Sequence, residues 1–323
     1  IRQLSHAEHI YRAQNDIASQ CQVIMQLAAA CSELGEYPEA LDGFAQAERL
    51  ARQHRDHAAV RRALVQTSGV HTVLGDFTAA RECLRSALEL QSGTSADEGM
   101  VVLQFGLVDV NEGLKAALAG DAQTVTRRMA EGEEHFDVAL ELLSGTSDLS
   151  TAIAARTQRG AARCWMGDFA GGLGDLEEAS VEAARSGFRL REVQARLEQG
   201  YHLIAAGREA DGLALLRPAF LQAEELGDLR RPADLHERLS ALYEARGDFQ
   251  RALFHHKRFV EVRTRLDGKL STQRARLHEA RAELLKLRTQ TAALHARTQD
   301  PKLLELAALL REATGDVPVH AVD

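Results

Sequence analysis

An interval of forty residues dominates this chain. The segment Leu34-Gly35-Glu36-Tyr37-Pro38-Glu39-Ala40 returns as Leu74-Gly75-Asp76-Phe77-Thr78-Ala79-Ala80, then as Met166-Gly167-Asp168-Phe169 and as Arg246-Gly247-Asp248-Phe249-Gln250-Arg251-Ala252. A weaker copy is Ala206-Gly207-Arg208-Glu209-Ala210, and Ala119-Gly120-Asp121 fills the long gap between Gly75 and Gly167. A second mark keeps the same period: Ala7, Ala47 and Ala87 are 40 apart, as are Ala179, Ala219 and Phe259. Two independent marks at one period predict a stack of like units, each touching its neighbours, and not one large core.

That period settles what length alone leaves open. A chain of 323 residues would ordinarily split into two globules. Here 45% of residues are apolar but only 5% aromatic, and there are five prolines, which suits Ala- and Leu-rich helices in small repeated contacts. The same composition excludes a collagen, a disulfide-stapled secreted module and a disordered acidic tail. Each unit reads as helix–turn–helix. Glycine ends the first helix, the following acid favours the positive start of the next, and the aromatic packs back into the hairpin. First helices are predicted near 16–34, 57–74, 97–119, 148–166, 188–206 and 231–246, and second helices near 38–54, 77–91, 122–143, 169–186, 209–226 and from 249 onward. Pro218 alone falls inside a helix, where a kink is expected.

These turn and alanine patterns resemble tetratricopeptide repeats, lengthened from the family's usual 34 residues to 40. The resemblance implies an all-α, right-handed superhelix (an α-solenoid) of about six helical hairpins, covering residues 15–265, and a long C-terminal helix after it. Residues 1–14 match the second helix of a repeat, so the chain is expected to open in a truncated upstream unit and to be a fragment. Residues 250–298 form the expected long basic helix, continuous with the last repeat, and residues 299–323 a short helix and tail.

The long helix has its own pattern. Phe259, Val262, Leu266, Leu270, Leu277, Leu284, Leu287 and Leu294 recur by threes and fours as a heptad seam, a possible coiled coil that would make a homodimer or, as the alternative, fold back on the array. Residues 257–297 carry eleven Lys and Arg against four Asp and Glu, whereas the remainder carries 28 against 43. The net charge of −8 therefore averages a basic helix and an acidic array. A repeat array followed by such a helix and Asp300-Pro301 is similar to the sensory part of bacterial signalling proteins that end in a diguanylate cyclase. No Gly-Gly-Asp/Glu-Glu-Phe motif is present, so the resemblance extends to a sensor or regulator and to no cyclase activity.

The sequence carries no catalytic motif. Neither GxxxxGK[ST] nor GxSxG nor HExxH occurs, and Gly171-Gly172-Leu173-Gly174 opens a predicted helix with no strand before it. Cys21, Cys31, Cys83 and Cys164 lack CxxC spacing and read as free thiols in helices, which points to a reducing, cytoplasmic setting. No catalytic residue, metal or cofactor is expected. The longest uncharged run, residues 17–32, is sixteen residues with three glutamines, too short and polar for a membrane span.

In tetratricopeptide proteins the first helices line the ligand groove. By that resemblance the groove contacts are Gln22, Met25, Arg62, Val65, Thr72, Val110, Gln158, Trp165, Gln194, Tyr201 and Glu237. The expected function is a protein- or peptide-binding scaffold acting as a signalling or regulatory module, with the C-terminal helix dimerising it or relaying binding. The alternative is a nucleic-acid-linked regulator that uses the basic helix.

Overall fold

The computed structural model describes residues 17–90 and 93–298; within the last helix it describes the side chains only in part from residue 280. The expected upstream helix over 1–14 and the segment 299–323 lie outside the described residues. Twelve helices are described: α1 (Ile17–Leu34), α2 (Tyr37–Gln53), α3 (His57–Leu74), α4 (Phe77–Leu88), α5 (Ser95–Leu118), α6 (Ala122–Leu143), α7 (Leu149–Trp165), α8 (Phe169–Arg185), α9 (Arg189–Ala205), α10 (Glu209–Glu225), α11 (Arg230–Ala245) and α12 (Phe249–Thr298). No strand occurs among the described residues. The fold is an all-α helical-repeat solenoid, and every observed boundary lies within three residues of the sequence expectation. The helix α10 runs through Pro218 as one element.

The turns form for the reasons their residues suggest. All six periodic glycines, from Gly35 to Gly247, adopt left-handed φ values of 75–93°, which a side chain would oppose. The next helix is then capped by the acid of the motif. Asp76 accepts from the Ala79 amide, Asp121 from Thr124, Asp168 from Gly171 and Asp248 from Arg251. Gly171 therefore belongs to a helix start, as its frame position implied. A second glycine series at Gly145, Gly187 and Gly227, also left-handed, joins one hairpin to the next; Arg55 takes the same conformation at an equivalent junction.

The residues fall into two compact units, one of Val60–Asp267 and one of residues through Ala59 with those from Gly268. In the larger unit, paired helices cross at glycines. A Cβ on Gly172 would lie 2.6 Å from the Gly160 carbonyl oxygen, and one on Gly212 would lie 2.6 Å from that of Gly200. The alanines of the second periodic mark are buried where helices stack: Ala87, Ala179 and Ala219 are fully covered, as is Ala139, one period before Ala179. Longer side chains at these places would hold the helices apart.

Buried charge is paired across helices. Asp175 on α8 accepts from Arg159 and Arg163 of α7 at 2.6–2.9 Å, and those arginines reach Asp137 and Glu133 on α6. Asp109 on α5 meets Arg81 of α4 and His135 of α6. Burial alone would raise the Asp109 carboxyl, but these two partners outweigh it and hold it below the usual carboxylate range. Arg61, covered at 1% exposure, donates to the carbonyls of Ala87 and Leu90 and so closes the end of α4.

One core cluster holds a histidine pair. His236 on α11 and His255 on α12 face each other Nδ1 to Nδ1 at 3.0 Å, so a single proton is shared between the rings. Phe220 stacks on His236 and Tyr243 on His255. Burial pushes both imidazoles down to about 4.

In the smaller unit, α12 reaches α1. Arg274 donates to the Leu34 carbonyl oxygen and lies beside Glu36, and His278 is 3.7 Å from Glu36. Of the heptad seam, Val262, Leu266 and Leu277 are buried within this chain, while Phe259 and Leu270 are half-buried. Val262, Leu266 and Leu277 are covered without a second copy, because a stripe at heptad spacing serves equally to pack on the chain's own helices. The side chains of Leu284, Leu287 and Leu294 lie outside the described residues.

Two predictions follow from the packing. Gly212→Ala should destabilise the protein by about 2–3 kcal/mol, since the contact is with backbone that cannot turn aside, whereas Gly174→Ala, in α8 with open space around it, should stabilise by about 0.5–1 kcal/mol. Thermal denaturation measures both, and equal effects would contradict the crossing geometry. The buried histidines make stability pH-dependent. Their folded pKa values lie below the usual 6.5, so the unfolded chain takes up protons first, and the stability they contribute is complete above about 6.5 and lost as pH falls towards 4. Urea unfolding should show a loss of about 2 kcal/mol per ring between pH 7.5 and 5, reduced in His255→Phe; an unchanged slope in that variant would refute the assignment.

Candidate functional site

Each first helix of the larger unit exposes a face that its own hairpin partner does not cover. Four such faces, from α5, α7, α9 and α11, border a cavity of about 730 Å³. The helix α5 contributes Leu114, Ala117 and Leu118, α7 contributes Trp165, α9 contributes Gln194, Leu197, Glu198 and Tyr201, and α11 contributes Arg231, Asp234, Leu235, Glu237, Arg238, Ala241 and Leu242. No second helix lines it. The repeat explains the alignment: Gln194 and Asp234, Leu197 and Glu237, Glu198 and Arg238, and Tyr201 and Ala241 are each 40 residues apart, so successive units present equivalent positions to one space.

The centre of this surface is an ion pair on an aromatic shelf. Arg238 donates to both Glu198 oxygens, at 2.9 and 3.1 Å. Its guanidinium carbon lies 4.0 Å from the centroid of the Tyr201 ring and 5.9 Å from that of Trp165. Burial works against ionisation of Glu198, but the Arg238 charge outweighs it and the carboxyl is lowered. Behind the pair, His202 packs edge-on to Trp165 and Tyr201, and burial pushes it down to about 3, leaving a neutral ring 3.7 Å from Glu198. Arg231 is held by Asp228 at 2.5 Å. Asp234 differs: burial raises its carboxyl, and Glu237 raises it further against the pull of nearby arginines.

Of the eleven groove positions named from the sequence, Trp165, Gln194, Tyr201 and Glu237 line this cavity. Gln158 is half-buried on α7, Arg62 is exposed and Thr72 half-buried on α3, and none of these three borders it. Val65 and Val110 require correction. They are buried at 5% and 7% and do not line this cavity, and Val110 packs with Met129 and Phe136 between α5 and α6. Gln22 is exposed and Met25 half-buried on α1, in the smaller unit. Trp165 has two roles, since it also packs against core clusters on either side. The sequence reading missed Leu118, Asp234 and the Glu198–Arg238 pair. The period of 40 would have found the pair, because an acid and a base at one frame position of adjacent first helices face each other.

Four arginines of the basic helix stand in ion pairs. Arg258 pairs with Glu261, Arg263 with Asp267, Arg265 with Glu224 and Arg274 with Glu36. Cys21, Cys31, Cys83 and Cys164 form no disulfide among the described residues; burial raises Cys164 to about 12, far from a reactive thiolate. No helix among the described residues is long and apolar enough to cross a membrane.

No family model matches the sequence, and no curated protein is similar to it. Solved structures share its fold. The apo form of RapI superposes with a TM-score of 0.60 at 11% identity, over 82% of this chain and 98% of that one. A Rap protein complexed with competence and sporulation factor gives 0.58 at 14% identity, over 80% and 73%. BtubC from P. vanneervenii gives 0.51 at 18% identity, over 73% and 92%. At these identities the likeness is one of fold.

Proposed function

We propose that this chain is a regulatory scaffold that binds a peptide or a protein segment in the cavity bordered by α5, α7, α9 and α11. The observation that carries the reading is the cavity itself. Its volume suits several side chains, its walls are mainly apolar, and its few polar groups stand at fixed positions on rigid helices. The site holds no nucleophile with a paired base, and its one strong ion pair is already closed, which favours binding over catalysis. A Rap protein of the same fold is known in complex with competence and sporulation factor, which supports a ligand-binding use here. Leu118, 92% exposed at the end of α5, provides an apolar contact that costs nothing to the fold when changed.

The long helix is suited to relay, because α12 also carries His255 of the histidine pair on α11, the helix that supplies Arg238 and Asp234. A ligand that shifted α11 would act on α12 through that contact.

Two measurements test the reading. A photo-crosslinking residue at Leu118 should capture a discrete set of peptides from a tryptic digest of a cell extract, whereas the same residue at exposed Val181 on α8 should capture few; equal labelling would count against the cavity. The captured peptides, made synthetically, should shift the emission of Trp165, the only tryptophan, and Leu118→Glu should weaken them by about tenfold. Unchanged emission on saturation would contradict binding at this place.

A further inference from the structure

We infer that this cavity selects a segment in which a cationic side chain, arginine or lysine, stands beside a bulky apolar one, with Asp234 and Glu237 receiving the cation. The inference rests on the reading of the cavity as a peptide site and specifies what that site takes.

The charges in the cavity are unequally committed. Both of its arginines are occupied, Arg238 by Glu198 and Arg231 by Asp228. Both remaining carboxylates, Asp234 and Glu237, have no partner at hydrogen-bond or ion-pair distance among the described residues, although Arg230, Arg263 and Arg238 act on Asp234 from farther away, and they stand on α11 three positions apart, on one side of the helix. An anionic segment would find no uncommitted cation here and would meet two like charges. A wholly apolar segment laid over Asp234 and Glu237 would take two carboxyl groups out of water without giving them a partner, which is unfavourable. A cation answers both. The raised carboxyl of Asp234 agrees, since burial and Glu237 already press on its ionised form and a positive group would relieve that pressure. Leu114, Leu118 and Leu242 supply the apolar wall that fixes the second requirement, a large hydrophobic neighbour to the cation.

A phage library of random dodecapeptides panned on the immobilised full chain, followed by calorimetry with synthetic copies of the enriched peptides, tests this directly. Asp234→Asn/Glu237→Gln and Leu118→Glu serve as the comparison variants, each checked for an unchanged melting curve. The expected peptides carry Arg or Lys next to Leu, Ile, Met or Phe. Their affinity should fall about tenfold in the Asp234→Asn/Glu237→Gln variant, and the fall should vanish once the peptide's basic residue is replaced by Gln. Peptides weakened by Leu118→Glu but carrying no basic residue, or indifferent to Asp234→Asn/Glu237→Gln, would overturn the cationic selectivity and leave the peptide site standing. Peptides indifferent to Leu118→Glu, or no enrichment over bare support, would overturn both.

Discussion

The hairpins of the larger unit depend on backbone meeting backbone. Where α7 crosses α8 and α9 crosses α10, a carbonyl oxygen occupies the space that a Cβ would need, at Gly172 and again at Gly212. Such contacts bring helix axes closer than ridges of leucine allow, and they hold the angle of each hairpin fixed. Gly132 on α6 is the third member of the series, 40 residues before Gly172, and it lies against Val110 and the Gly106 carbonyl. With the angle fixed by glycine and the stacking by alanine, each unit repeats the last. Equivalent residues of successive first helices therefore fall into register.

Register is what turns separate helices into a site. A single first helix presents Gln194, Glu198 and Tyr201 as a polar-aromatic stripe with no chemistry of its own. Placed beside α11, the same stripe gives Glu198 a cation and gives that cation an aromatic floor. The carboxylate remains ionised because Arg238 outweighs burial, and His202 remains neutral because burial outweighs Glu198. A fixed, neutralised pair surrounded by leucines makes a rigid wall, and rigidity in the unliganded state lowers the ordering cost of binding.

Much of this was legible in the sequence, and the limits have physical causes. The six turn glycines announced the helix boundaries, and the aspartate after four of them announced the caps, since positive φ and an N-cap acceptor are local demands. Trp165, Gln194, Tyr201 and Glu237 were placed by the frame of first helices and do border the cavity. The same frame could not separate Val110, which faces the hairpin partner, from residues that face outward, because both are apolar on one helix and the difference is a rotation of the helix about its axis. The junction glycines and the crossing series at 132, 172 and 212 keep the same period and were available, but a glycine inside a helix has no local signature until its neighbour is known. The pairing of Arg159 and Arg163 with Asp175 is equally non-local, since it joins two helices through side chains that would otherwise read as solvated charge.

The long helix shows the same limit from the other side. A heptad stripe states that a helix face will be covered and is silent about what covers it. In the larger unit Val262 and Leu266 are already buried, and Arg265 beside them is tied to Glu224. In the smaller unit Leu277 is buried where Arg274 closes the end of α1, satisfying the Leu34 carbonyl that the helix terminus leaves open. Basic residues on such a helix are therefore useful as helix caps and ion-pair partners for an acidic array. Part of the basic charge of residues 257–297 is used in this way: Arg265 and Arg274 meet carboxylates of the repeats, and Arg258 and Arg263 meet carboxylates of α12 itself.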